Sequence, residues 1–123
     1  PKILLLDEPT RALDWETGEG VLKFVKRLVR DKGIGVIAVS HNMKQAADHS
    51  DRVIALYSGT VAAQGTPREV FMRAIENPNW SLVPPQVFQL SVALSIRPPA
   101  VKIDEIMPLV DEYKARAKAA GKA

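Results

Sequence analysis

The stretch Lys2-Ile3-Leu4-Leu5-Leu6-Asp7-Glu8-Pro9-Thr10 governs the reading of this chain. Ile3 to Leu6 is an unbroken apolar run, which predicts a strand buried on both faces, as in a parallel sheet. Asp7 and Glu8 end the run, and Pro9 to Leu13 reads as loop. Two adjacent carboxylates are costly to place at a strand end unless water or a cation meets them. In a parallel sheet the carboxyl ends of the strands line the crevice where ligands bind. There Asp7 can hold Mg²⁺, directly or through water, and Glu8 can orient or deprotonate a water that attacks a phosphate. The same pair can also do no more than solvate a strand end before a turn, and the residues alone leave both readings open.

Outward from this stretch, Val21, Leu22, Phe24, Val25, Leu28 and Val29 recur at helical spacing and predict a helix over Trp15 to Asp31. Asp14 suits its N-cap and Glu16 its first turn, while Arg30, Lys32 and a left-handed Gly33 suit its end. Val36 to Val39 is a second apolar run, and it stops at Ser40-His41. Strand, helix and strand at this spacing form a βαβ unit with parallel strands. Glu8 and His41 should then leave the sheet on the same edge. A lone histidine is more often structural than catalytic, but one crossover away from an acidic pair an imidazole can reach a phosphate or the attacking water. For Asp14, physics alone favours the capping role. Trp15 and Trp80 read as packing residues.

Beyond His41 the pattern predicts a short helix over Met43 to Asp48. Strands over Arg52 to Tyr57 and Thr60 to Gln64 follow, turning at Ser58-Gly59. Thr66, Pro67 and Glu69 are the N-cap, N1 and N3 residues of a helix that ends near Glu76. A Pro-containing linker over residues 77 to 86 leads to a helix over Val87 to Leu94 that uses Val87, Leu90 and Leu94. The last helix starts near Asp104 and uses Ile106, Leu109, Val110 and Tyr113, with Pro108 in its early turns or kinking it.

Composition narrows the class. With 46% apolar and 25% charged residues, the chain has the profile of a globular domain. The absence of cysteine excludes disulfides and thiolate metal sites. The net charge of +3 draws on Lys114, Arg116, Lys118 and Lys122, and no aromatics are interleaved with them. That cluster therefore reads as a solvated helix end and not as a nucleic-acid surface. No apolar run reaches the roughly 18 residues that a membrane span needs, so a membrane role is expected to act through a partner.

Taken in order, the motifs resemble a family. Lys2 to Thr10 is similar to the Walker B motif of ATP-binding-cassette (ABC) ATPases. Arg11-Ala12-Leu13-Asp14 resembles their D-loop, and Val39-Ser40-His41-Asn42-Met43 resembles their switch histidine. Asp51 to Leu56, Ser58-Gly59 and Gly65 to Phe71 match the closing strands and the helix after them. The resemblance covers about residues 1 to 76 and is specific through the order and spacing of its parts. It implies an α/β fold: the second half of a P-loop NTPase parallel-sheet domain with a closing β-hairpin over residues 1–76, then an α-helical C-terminal extension over residues 77–123. It implies ATP and Mg²⁺ as ligands, Asp7 holding Mg²⁺ through water, Glu8 as general base and His41 on the γ-phosphate. It places Asp14 near the nucleotide across an interface between two cassettes. Arg11 departs from the small residue usual there, which puts the D-loop contacts in doubt. Trp15 stands where Pro is common.

Val83 to Leu94 and Ile103 to Ile106 are further similar to the helical extension of energy-coupling-factor importer ATPases, which take up vitamins or metal ions. This implies a second ATPase subunit, identical or not, and transmembrane transporter subunits as partners, at the cytoplasmic face of the membrane. The sequence contains no G-x-x-x-x-G-K-[ST] phosphate cradle and no signature motif, both of which the family places before Walker B. A chain that reaches a buried strand directly after Pro1 reads as the later part of a longer domain, and the isolated chain is expected to be inactive. The rival expectations are a non-transport cassette ATPase of DNA repair or translation, and a non-catalytic dimerisation module.

Overall fold

The computed structural model describes residues 2–121, so Lys122 of the basic cluster lies outside the described residues. The chain divides into two compact units, one ending at His49 and the other beginning at Ser50.

In the first unit, strand β1 (Ile3–Asp7) pairs in parallel with β2 (Gly35–Val39), and helix α1 (Trp15–Lys32) connects them. The register sets Leu5 beside Ile37 and Asp7 beside Val39, so both strands end level. Helix α1 starts and stops where its local chemistry dictates. Asp14 caps its N-terminus through Thr17, and Gly33 closes it at φ 64 with its N–H donating to the Val29 carbonyl. Leu4 and Leu28 line a cleft between sheet and helix with Lys32 and Ile34. A short helix, α2 (Met43–His49), completes the unit.

One expectation is corrected here. The Ile3–Leu6 run is not buried on both faces: Leu4 and Leu6 are half-buried, while Ile3 and Leu5 are exposed, as are Ile37 and Val39 of β2. Successive side chains of a strand point to opposite faces, and only one face of this strand pair is covered among the described residues.

The second unit opens with an antiparallel hairpin of β3 (Val53–Tyr57) and β4 (Thr60–Gly65). Ser58 and Gly59 both have positive φ, 51° and 75°, as a two-residue turn matched to strand twist requires. The register shifts between Ala55 and Leu56, which leaves Ala62 as the extra residue of a β-bulge. Helix α3 (Pro67–Glu76) begins in a complete capping box: Thr66 accepts from the Glu69 N–H, and Glu69 accepts from the Thr66 N–H. Ala55, Ala63 and Val70 form a buried cluster, with Val53, Trp80 and Leu82 packed against it, so Trp80 is a packing residue as expected.

A single 3-10 turn (Pro78–Trp80) leads to α4 (Gln86–Ala93) and α5 (Ile103–Ala119). These helices follow their periodicity only in part: Ile106 is buried and Val87 and Val110 are half-buried as it indicates, but other residues differ. In α4 the buried side chains are Phe88 and Ser91, while Leu90 and Leu94 are exposed. In α5 only Ile106 is fully buried, and Leu109 and Tyr113 face water. The burial follows the neighbour: Phe88 turns toward Phe71 of α3, and Ser91 Oγ donates to the Val87 carbonyl and accepts from the Ala100 N–H. Arg68 of α3 donates to the Pro99 carbonyl at 2.8 Å and pairs with Glu105 at 2.7 Å, which fastens the start of α5.

Candidate functional site

The parallel register brings the two motif ends together. Because Asp7 and Val39 are partners, the next residue of each strand leaves the sheet at the same edge. Pairing continues one step further, with the Glu8 N–H donating to the Val39 carbonyl at 2.8 Å. The chain then turns sharply: Glu8 has φ 45, in the left-handed region that a residue with a Cβ rarely occupies. Across the edge, His41 Nδ1 and Glu8 Oε1 are hydrogen-bonded. The carboxylate side chain is mostly covered, at 20% exposure, whereas the imidazole is 94% exposed. A shielded acid thus holds an open imidazole at the carboxyl edge of the two strands.

Asp7 stands at the same edge and is exposed. Among the described residues no group of three His, Cys, Asp or Glu side chains could hold a metal. The chain therefore offers a carboxylate or two and not a cage. That fits Mg²⁺, which binds through one or two carboxylates, keeps waters and takes its remaining ligands from phosphates.

Asp14 uses both carboxylate oxygens on Thr17: Oδ1 accepts from the backbone N–H at 2.9 Å and Oδ2 from the hydroxyl at 2.8 Å. These bonds, the backbone one foremost, hold its carboxyl below the usual carboxylate range. Arg11 donates its N–H to the Glu8 carbonyl at 3.2 Å, so the loop after β1 folds back on itself. Trp15 is not a buried packing residue, because Lys44 Nζ lies 4.6 Å from its ring centroid on an exposed surface.

Two links in this unit were not anticipated from the sequence. Thr10 Oγ1 donates to Oε1 of the buried Gln45 at 2.6 Å, and His49 Nε2 lies 3.0 Å from Glu19 Oε2. Each joins residues at least 30 positions apart, and neither belongs to a periodic pattern. A threonine after the acidic pair and a glutamine one turn into α2 would have been the only signal.

No family model matches the chain. Among curated proteins, it is 31% identical over 125 residues to the energy-coupling factor transporter ATP-binding protein EcfA2 of Listeria monocytogenes, which takes in 97% of this chain and 43% of that protein. The protein of the same name from Ligilactobacillus salivarius is 41% identical over 80 residues, covering 65% of this chain and 26% of that protein. Among solved structures, the ATP-binding cassette MJ0796, in a dimeric post-hydrolysis state bound to ADP and Pi, superposes with a TM-score of 0.51 at 36% identity over 55% of this chain and 28% of that one. The chain belongs to the ATP-binding-cassette ATPases. Another member, cbiO1 from Clostridium perfringens, described as part of the ABC transporter complex cbiONQ, gives a TM-score of 0.56 at 28% identity over 78% of this chain and 37% of that one. The ABC chain spans less than half the length of the curated relatives it matches. Its fold is accordingly that of a partial α/β P-loop NTPase domain.

Proposed function

We propose that this chain supplies the water-activating part of an ATPase site in an energy-coupling-factor type importer. The observation that carries the reading is the hydrogen bond between Glu8 and His41 at the carboxyl edge of two parallel strands. Similarity to ATPases named for such transporters supports the assignment to import.

In this reading Glu8 is the general base. Its shielded carboxylate accepts a hydrogen bond from the attacking water and draws off its proton as the bond to the γ-phosphorus forms and the bond from that phosphorus to the β–γ bridging oxygen breaks, with ADP as the leaving group. His41 fixes the orientation of that carboxylate through Nδ1, and its open side reaches the γ-phosphate. Asp7 would hold Mg²⁺ through water, and the ion would neutralise charge on the phosphates. Asp14 lies beside a second cassette's nucleotide in an assembled pair, with capping and contact coexisting. The partners are a second ATPase subunit, identical or not, and transmembrane subunits that hold the pair at the cytoplasmic face of the membrane. Among the described residues no helix is long and apolar enough to cross a membrane, so attachment runs through those subunits. The chain alone does not hydrolyse ATP, since the backbone nest and lysine that cradle phosphates are not in its sequence.

The test is Glu8→Gln in the intact ATPase that carries this sequence. ATP binding is retained and turnover falls by roughly 10²–10⁴. Hydrolysis near the wild-type rate would remove Glu8 from the role.

A further inference from the structure

The contact between Glu8 and His41 sits inside a closed ring of bonds. One side of the ring is backbone: the Glu8 N–H on the Val39 carbonyl at 2.8 Å. The other side is the Thr10 hydroxyl on Gln45 Oε1 at 2.6 Å. Between them, each loop is braced. After β1, the Arg11 N–H donates to the Glu8 carbonyl and the Leu13 N–H to the Thr10 carbonyl. After β2, the Asn42 N–H donates to Ser40 Oγ, and the Gln45 N–H donates to Asn42 Oδ1, both at 3.0 Å. Gln45 is thus held at its backbone and at its side chain, and it is only 7% exposed.

Helix α1 backs the pair. Gly18 is its only buried residue, and a Cβ placed there would lie 3.3 Å from Thr10 Cβ and 3.5 Å from Gln45 Nε2. The absence of a side chain lets the helix press on both partners at once.

We infer that Thr10 and Gln45 are positioning residues for hydrolysis: they lock the loop after β1 to helix α2, so that the Glu8 carboxylate and the His41 imidazole stay paired at the crevice. This rests on the hydrolytic role proposed above. Neither residue reaches the reacting atoms. Each controls where a reacting or phosphate-binding group stands, and a loosened pair lets Glu8 leave the geometry in which it meets the water.

The test uses the intact ATPase. Thr10→Val and Gln45→Leu are each expected to lower kcat about tenfold while KM for ATP stays within about twofold, the pattern of a lost contribution to the chemical step. Thr10→Ser keeps the hydroxyl and should restore kcat. The double variant should be no slower than either single one, because the two side chains act as one unit. Additive losses, or wild-type kcat in Thr10→Val, would overturn the inference. If Thr10→Val does not fold, Gln45→Met removes the acceptor while keeping bulk, and the same loss of kcat is required of it. Glu8→Gln is measured alongside. If that variant hydrolyses ATP normally, the hydrolytic reading fails and takes this one with it. An inactive Glu8→Gln beside a fully active Thr10→Val refutes the positioning role alone.

Discussion

The ring of Phe71 meets the ring of Phe88 edge-on, with centroids 5.6 Å apart and planes at 70°. Both side chains are fully buried, one on α3 and the other on α4, so the helical extension shares its packing with the helix after the hairpin. Phe88→Ala should destabilise this unit by about 3–5 kcal/mol, the range for deleting a buried aromatic side chain. Leu90→Ala, on the exposed side of the same helix, should stay within about 0.5 kcal/mol. Urea unfolding followed at Trp80 reads both, and equal losses would show that the two faces of α4 are not distinguished.

Asp14 makes the start of α1 sensitive to acid. Its carboxyl lies below the usual carboxylate value because the Thr17 N–H, and then the Thr17 hydroxyl, donate to it. A lowered folded value means that the cap's contribution is complete above the ordinary carboxylate range and is lost as pH falls through the folded value. Asp14→Asn keeps an N-cap acceptor without the charge, so α1 helicity should lose this acid dependence. Circular dichroism from about pH 6 to about pH 2 measures it, and an unchanged profile in Asp14→Asn would assign the dependence to another group.

Two glycines should respond oppositely to alanine. At Gly65, with φ 153, an added Cβ would stand 2.3 Å from Glu69 Oε2 and drive that carboxylate off the Thr66 N–H. Loss of the box and the backbone strain together should cost about 1–2 kcal/mol. At Gly20, inside α1, a Cβ meets nothing within 4 Å, and Gly20→Ala should stabilise by about 0.5–1 kcal/mol. Thermal melts of the two variants should move in opposite directions.

Leu5 and Ile37 are partners across β1 and β2, and they are 71% and 57% exposed. Together with Ile3 and Val39 they form an apolar patch of the kind that drives association. The isolated chain should self-associate, and Leu5→Lys with Ile37→Lys should shift it toward monomer in sedimentation velocity. A monomeric wild-type chain at the same concentration would contradict this.

Local signals were legible in the sequence because they are complete within one turn of chain. Asp14 and Gly33 bracket α1, Thr66 and Glu69 start α3, and Ser58-Gly59 turns the hairpin, all as their residue types require. That Glu8 and His41 leave the sheet at one edge was legible through the strand-helix-strand pattern, whereas the bond between them was not. What was not legible depends on neighbours distant in sequence. An apolar run states what can be buried and not what covers it, so a strand covered on one face, as β1 is, shows the same run as one enclosed on both. The exposed Leu90 and the buried Ser91 follow from where Phe71 and Ala100 stand. The Thr10–Gln45 bond spans 35 positions without any repeating pattern to announce it.

The left-handed backbone of Glu8, at φ 45, has a consequence for how this chain can change. Glycine or asparagine would sit there with less strain, by about 1 kcal/mol for glycine. A search for thermostable variants would therefore select against the acid at that position. Under the proposed hydrolytic role, retaining glutamate there would trade robustness of the fold for reactivity, and any descendant of this sequence released from that role would be expected to lose it early.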